Sequence, residues 1–75
     1  MKAMDVLRAA RATFGLYGDV KYAASKADSF IRRCGVKIED GLDQDIPKNI
    51  IDQVVYAMLD SDSEQVFYSN LTKVL

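Results

Sequence analysis

Three acidic residues in the C-terminal half have the spacing with which a calcium-binding loop begins. Asp60, Asp62 and Glu64 occupy positions one, three and five of such a loop. Position six needs a glycine and position twelve a bidentate glutamate, but this chain has Gln65 and Leu71 there. The same carboxylates suit a helix start, where they accept hydrogen bonds from free backbone N–H groups. We therefore predict helix capping at this segment and no metal site.

Groups for nucleophilic or acid–base catalysis are scarce. The chain has no histidine and one cysteine, Cys34, so a Cys/His zinc site, an internal disulfide and histidine catalysis are excluded within one chain. Cys34 lies on the apolar side of a predicted helix, where a buried, inert thiol is expected. Arg32 and Arg33 are close enough in sequence to lower its pKa, but a thiolate nucleophile would still lack a histidine. We predict a protein that is not an enzyme and binds no cofactor.

The charged residues are divided between two halves of the chain. Residues 1–37 contain eight basic and three acidic side chains and are net +5, whereas residues 38–75 contain two basic and eight acidic side chains and are net −6. Such asymmetry carries information about partners. One interpretation is internal pairing through surface ion pairs worth at most about 1 kcal/mol each. The other is that the two signs steer contact with a charged partner or head-to-tail association between copies.

The apolar pattern predicts four short helices, at about 4–17, 19–34, 46–59 and 62–74, in one compact all-α domain covering residues 1–75. Tyr17 is the last residue on the apolar face of the first predicted helix, and Leu75 is the last on that of the fourth. The second helix has the clearest stripe of apolar residues at helical spacing: Val20, Ala23, Ala24, Ala27, Phe30, Ile31 and Cys34. The third helix is apolar over more than half its circumference, and we expect it to be the central, most buried one.

Turn and capping residues set the expected boundaries. Gly18 is predicted to stop the first helix and Asp19 to cap the second. Gly35 is predicted to end the second helix, with Val36 packing back onto it. Pro47 marks the start of the third helix, with Asp45 as its cap, and the fourth begins with a capping box formed by Ser61 and Glu64.

The segment from Tyr17 to Ala24 resembles the opening of helix-turn-helix families, in which a first helix ends at glycine and a short second helix begins with an acidic or amide cap and carries an alanine pair. The resemblance covers about residues 7–35 and implies DNA binding. In those families a Leu-Gly turn precedes the recognition helix, but Ala27 and Asp28 occupy these positions here, which favours one unbroken helix. If the turn forms, Ser29, Arg32 and Arg33 project from the recognition helix, where arginine reads guanine edges or holds phosphate.

A second resemblance is to small phage head-tail connector proteins. It rests on a helix ending near Cys34 and Gly35, a polar loop, and an apolar helix opened by Ile46 and Pro47. This resemblance implies a structural subunit that assembles into rings or filaments.

Tyrosines supply further candidates for partner contact, because tyrosine combines apolar area with a polar tip. Among Tyr17, Tyr22, Tyr56 and Tyr68, the second and third fall outside the main apolar arcs of their helices and are the better candidates. No apolar run is long enough to cross a bilayer, and no secretory signal opens the chain, so we expect a cytoplasmic protein without membrane contact.

The sequence therefore predicts a non-enzymatic helical protein, such as a regulator, an inhibitor or an assembly subunit, that acts through protein–protein contact. The partner would be a protein with an acidic surface or a second copy, and nucleic acid is the alternative. The residues predicted to bind the partner are Arg8, Arg11, Lys21, Tyr22, Lys26, Arg32, Arg33 and Tyr56.

Overall fold

A computed structural model describes residues 1–16 and 18–74 of the chain, apart from the side chain of residue 74. Four α-helices follow one another: α1 (Ala3–Gly15), α2 (Val20–Arg33), α3 (Lys48–Met58) and α4 (Ser61–Val74). The loop between α2 and α3 contains one turn of 3-10 helix, at Ile38–Asp40. The predicted all-α fold is confirmed, and the radius of gyration of 11.0 Å is that of a compact chain of this length. Tyr17 and Leu75, which we predicted on apolar helix faces, lie outside the described residues.

The most buried helix is α1, which packs against α2 and α4. Seven of its 13 residues are buried, compared with three of 11 in α3. The prediction that the third helix is the central one is therefore wrong. Ala3, Ala9 and Ala10 are fully buried in α1, and their small side chains leave room for neighbouring helices. In α3, by contrast, Ile50 and Met58 remain partly exposed at the edge of the core.

Three aromatic rings join α1, α2 and α4 at the centre of the core. The ring of Phe30 on α2 lies edge-on to that of Phe14 on α1, with centroids 6.4 Å apart. The Phe30 ring also packs against that of Phe67 on α4, with centroids 5.1 Å apart. Both Phe30 and Phe67 are fully buried. Offset and edge-on ring pairs add to the free energy gained from burial, so this cluster fixes the relative positions of three helices.

Both ends of α2 confirm the predicted boundaries. The carboxylate of Asp19 accepts a hydrogen bond of 2.7 Å from the backbone N–H three residues on. At the other end Gly35 adopts φ 88°, the left-handed conformation that glycine takes at little cost. Its N–H donates to the carbonyl of Arg32, and the N–H of Val36 donates to the carbonyl of Ile31. Val36 is buried, which completes the predicted glycine-capped helix end.

The starts and ends of the other helices differ from the prediction. The first helix ends at Gly15, before Gly18. The cap of α4 is Asp60, whose side chain accepts a hydrogen bond of 2.9 Å from the N–H of Ser63. Ser61 is instead the first helical residue, so the predicted capping box begins one residue too late. An ionised carboxylate is a stronger acceptor for free N–H groups than a serine hydroxyl, which accounts for the shift.

The loop before α3 caps the start of α1 with backbone carbonyls. The N–H of Ala3 donates to the carbonyl of Gln44 at 2.8 Å, and the N–H of Met4 donates to that of Leu42 at 3.0 Å. These N–H groups have no partner within their own helix. The side-chain amide of Gln44 donates to the carbonyls of Lys37 and Gly41, which ties the two ends of the loop together. We call residues 41–46 the clasp.

Asp45 belongs to the clasp and not to the third helix. It forms an isolated antiparallel bridge with Lys2, whose amino group lies 3.4 Å from the Asp45 carboxylate. The N-cap of α3 is Pro47, and no side chain caps that helix start. The prediction that Asp45 caps the third helix is wrong, because its backbone pairs with Lys2 and its carboxylate with the amino groups of Met1 and Lys2.

Candidate protein-interaction surface

The eight residues predicted to bind a partner all reach the surface, although Lys26 is partly buried. Helical spacing places those of α2 on two flanks. Lys21 and Arg32 lie on one flank together with Asp28, and Tyr22, Lys26 and Arg33 lie on the other. The first flank faces α1, because the guanidinium of Arg11 lies 4.0 Å from the carboxylate of Asp28. The residues predicted to form one basic face therefore lie on two separate surfaces, one on each flank of α2.

The second flank faces the junction between α3 and α4. Tyr22 and Lys26 line a cleft of about 250 Å³ together with Met58, Asp60 and Ser63. The amino group of Lys26 lies 6.0 Å from the centre of the Tyr22 ring, within range of a cation–π contact. Basic and acidic groups are thus neighbours at this cleft.

Arg32 is already engaged within the chain. Its guanidinium donates a hydrogen bond of 2.7 Å to the carboxylate of Glu39 in the 3-10 turn. This bond lowers the pKa of Glu39 and raises that of Arg32. Both side chains are more than half exposed, so the pair is screened by solvent. Arg32 is consequently a poorer residue for testing partner contact than a cation that has no ion pair.

Four of the predicted cations have no ion pair within 4.0 Å in the part of the chain that the structure describes. They are Arg8 on α1 and Lys21, Lys26 and Arg33 on α2. The ion pairs that connect the two halves of the chain all involve Glu39 or Asp45. Internal pairing therefore engages two of the four carboxylates of the loop between α2 and α3 and leaves much of the charge on the first two helices available.

An apolar groove lies at the corner where α1 passes into α2. It has a volume of about 350 Å³ and is lined by Arg11, Gly15, Gly18, Val20, Ala23 and Ala24. Val20 in this lining is 86% exposed, and Leu16, which follows Gly15 in the chain, is 67% exposed. The sequence pattern placed Val20 in the apolar stripe of the second helix. Val20 is the first residue of α2, however, and its side chain lies outside the core. We call this feature the corner groove.

Gly18 lines the corner groove and also contacts the side chain of Tyr22. A β-carbon built at this glycine would overlap the Tyr22 ring, so the ring packs directly against the glycine backbone. Sequence reasoning treated Gly18 as a helix stop and missed this contact. The spacing of four residues between the glycine and the tyrosine was the available signal.

Tyr56 and Tyr68 of the other helices differ in their surroundings. Tyr56 is 84% exposed on α3. The hydroxyl of Tyr68 donates to the carboxylate of Asp52, which also accepts a hydrogen bond of 2.9 Å from Lys48. Burial, followed by this bond, raises the pKa of Tyr68, and the Tyr68 bond is the largest cause that lowers the pKa of Asp52. Tyr68 thus ties α4 to α3, whereas Tyr56 is available for contact.

The turn that the helix-turn-helix resemblance requires does not occur in α2. Ala27 and Asp28 lie in the middle of α2, which runs unbroken from Val20 to Arg33. The prediction of one continuous helix is confirmed. Arg32 and Arg33 consequently lie in the last turn of a long helix and not on a separate recognition helix.

Cys34 is buried, as predicted, just after α2. Burial raises the pKa of its thiol from 9.0 to about 11. The alternative that neighbouring arginines activate the thiol is wrong, since the pKa moves in the opposite direction. A thiol with this pKa is almost entirely protonated at neutral pH and is a poor nucleophile.

This pKa gives the protein a measurable loss of stability in alkali. Because the folded chain holds the thiol proton more tightly, the unfolded chain loses it first as the pH rises. The contribution of Cys34 is complete below about pH 9 and is lost between about pH 9 and 11. Urea denaturation should show the free energy of unfolding falling by about 1 kcal/mol by pH 10, and Cys34→Ala should remove that part of the decrease. Identical pH slopes in both proteins would contradict this assignment.

Comparison of the chain with protein-family models, curated proteins and solved structures finds no match. Within residues 1–16 and 18–74, no three His, Cys, Asp or Glu side chains are grouped so as to hold a metal ion. None of the helices that the structure describes has both the length and the apolar character needed to cross a membrane.

Proposed function

We propose that this protein acts through protein–protein contact and binds an acidic surface of its partner with the basic residues of α1 and α2. The observation that carries the proposal is the set of exposed cations without ion pairs on α1 and α2, together with an exposed apolar groove that Arg11 helps to line. Arg8 and Lys21 belong to that set, and Arg11 is held only loosely, 4.0 Å from Asp28.

Arg8 and Lys21 form no ion pair among the described residues, and Leu16 and Val20 lie largely outside the core. Exposed cations contribute little to stability, but they accelerate encounter with an oppositely charged partner and help to select it. Exposed apolar side chains next to them supply the area that is removed from water on binding. Interfaces typically combine such an apolar centre with a polar, charged rim.

The first step of the test is to identify the partner. Tagged protein is used to capture bound molecules from cells, with and without nuclease treatment, and the captured proteins are identified by mass spectrometry. We expect a protein whose capture resists nuclease. Recovery of nucleic acid alone, with duplex affinity that falls steeply with salt, would replace this proposal with the DNA-binding alternative. Rings or filaments of the purified chain would replace it with the connector alternative.

The second step measures the affinity of the purified partner for two charge-reversal variants. Arg8→Glu combined with Lys21→Glu should weaken binding at least about tenfold, or roughly 1.4 kcal/mol, while circular dichroism shows the helices intact. Lys37→Glu combined with Lys73→Glu changes the net charge equally at exposed positions outside α1 and α2 and should leave affinity unchanged. Equal weakening by both variants would indicate a net-charge effect and contradict binding at this surface.

A further inference from the structure

We infer that the corner groove receives an apolar side chain from an acidic segment of the partner. This inference rests on the proposed function and adds the chemistry of the bound segment. The occupant combines an apolar residue, which enters the groove, with carboxylates that face the cations beside it.

The lining of the groove provides the first argument. Gly15, Gly18 and Ala24 are small, so the backbones of α1 and α2 can be approached closely at this corner. The volume of about 350 Å³ is at the lower end of the range for ligand sites and accommodates one large side chain. Val20 in the lining and Leu16, which follows Gly15 in the chain, add exposed apolar surface at this corner, since most of each side chain is in water.

The charges around the groove provide the second argument. Arg11 belongs to its lining, and Lys21 follows Val20 in the first turn of α2. The one carboxylate close to Arg11 among the described residues is that of Asp28, at 4.0 Å, the longest distance of any ion pair in this part of the chain. A carboxylate of the partner can approach Arg11 without breaking a short internal bond. An acidic segment therefore fits this corner, and a basic one is repelled.

A second copy of this chain would offer its acidic loop between α2 and α3 to the groove. The contacts of that loop favour a different protein as the source of the segment. Glu39 is bound to Arg32, and Asp45 is bound to Lys2. Leu42, the apolar residue between them, packs partly into the core of its own chain. Asp40 and Asp43 are exposed and unpaired among the described residues, but Ile38 and Ile46 also pack into the core, so this loop has no free apolar side chain for the groove.

The test uses the full chain labelled with nitrogen-15 and a blocked synthetic peptide, rich in glutamate with leucines one helical turn apart. We expect shifts of the amide signals of Gly15, Gly18 and Ala24 as peptide is added. Two control peptides, one with serine in place of leucine and one with lysine in place of glutamate, should bind at least tenfold more weakly. Equal binding of either control would overturn the inference.

A pair of matched variants locates the peptide. Ala24→Leu fills the groove and should weaken binding at least tenfold. Ala57→Leu makes the same change at an exposed position of α3 and should leave binding unchanged. Unchanged binding to Ala24→Leu would overturn the groove as the site.

The charge-reversal variant separates the two proposals. If Arg8→Glu with Lys21→Glu weakens binding of the purified partner but Ala24→Leu does not, the groove inference fails and the proposed function stands. If neither variant weakens it, both fail. Dimers of the wild-type chain that Ala24→Leu dissociates would show that a second copy occupies the groove, which also overturns this inference.

Discussion

Phe30→Ala is expected to lower the free energy of unfolding by about 3 to 5 kcal/mol, the usual cost of removing a buried phenylalanine ring. Phe30 has no exposed surface, and its ring contacts Phe14 of α1 and Phe67 of α4. Its removal leaves a cavity where three helices meet. The free energy of unfolding of a 75-residue domain is typically only about 4 to 11 kcal/mol, so this substitution removes much of it.

Urea denaturation followed by circular dichroism measures this loss, and a thermal scan should show a decrease in Tm of tens of degrees. If Phe30→Ala does not fold, Phe30→Leu keeps the test available, because it leaves a smaller cavity and should cost less. Tyr56→Ala is the control, since it truncates an aromatic ring that is 84% exposed and should change stability by less than about 0.5 kcal/mol. A loss with Phe30→Ala no larger than with Tyr56→Ala would contradict the central position of this ring.

Local patterns were sufficient to predict the elements of this fold. The spacing of Ala23, Ala27, Phe30 and Ile31 places them on one helical face, and all four are buried. The cap at Asp19 was equally accessible, because its hydrogen bond spans only three residues, whereas the cap of α4 was predicted at Ser61, one residue after Asp60.

Features that depend on distant parts of the chain could not be predicted. Residues from about 40 positions away supply the clasp carbonyls that cap α1, and backbone acceptors leave no signature in side-chain type. Asp45 was assigned to the nearest helix start for this reason, although it pairs with Lys2. The apolar pattern of α3 likewise could not show that alanines in α1 make that helix the central one.

At the candidate surface too, local features could be predicted and features that depend on distant parts of the chain could not. Exposure of Arg8, Lys21 and Arg33 followed from their positions opposite the apolar stripes. Which of them pair internally did not follow, because the Arg32–Glu39 contact depends on how the chain turns after Gly35. The corner groove requires the relative placement of two helices, which no single-helix pattern contains.

Gly41→Ala is expected to destabilise the protein by about 1 to 3 kcal/mol, because the clasp begins with a backbone conformation that only glycine adopts readily. Gly41 has φ 103° and ψ 161°. A β-carbon there would also come within 3.3 Å of the Asp43 carboxylate. Strain at this residue displaces the loop that supplies the carbonyls of Leu42 and Gln44 to the start of α1.

Hydrogen exchange distinguishes this mechanism from a general loss of stability. In Gly41→Ala, the amides of Ala3 and Met4 should exchange faster by a larger factor than the amides of α2, since their acceptors lie in the clasp. Gly15→Ala is the matched control: its β-carbon meets no atom within 4 Å, and its φ is not in the left-handed region. Replacing a helical glycine by alanine under these conditions should stabilise the protein by up to about 1 kcal/mol. The two Gly→Ala changes should therefore have opposite signs, and destabilisation by both, or by neither, would contradict the role assigned to the clasp.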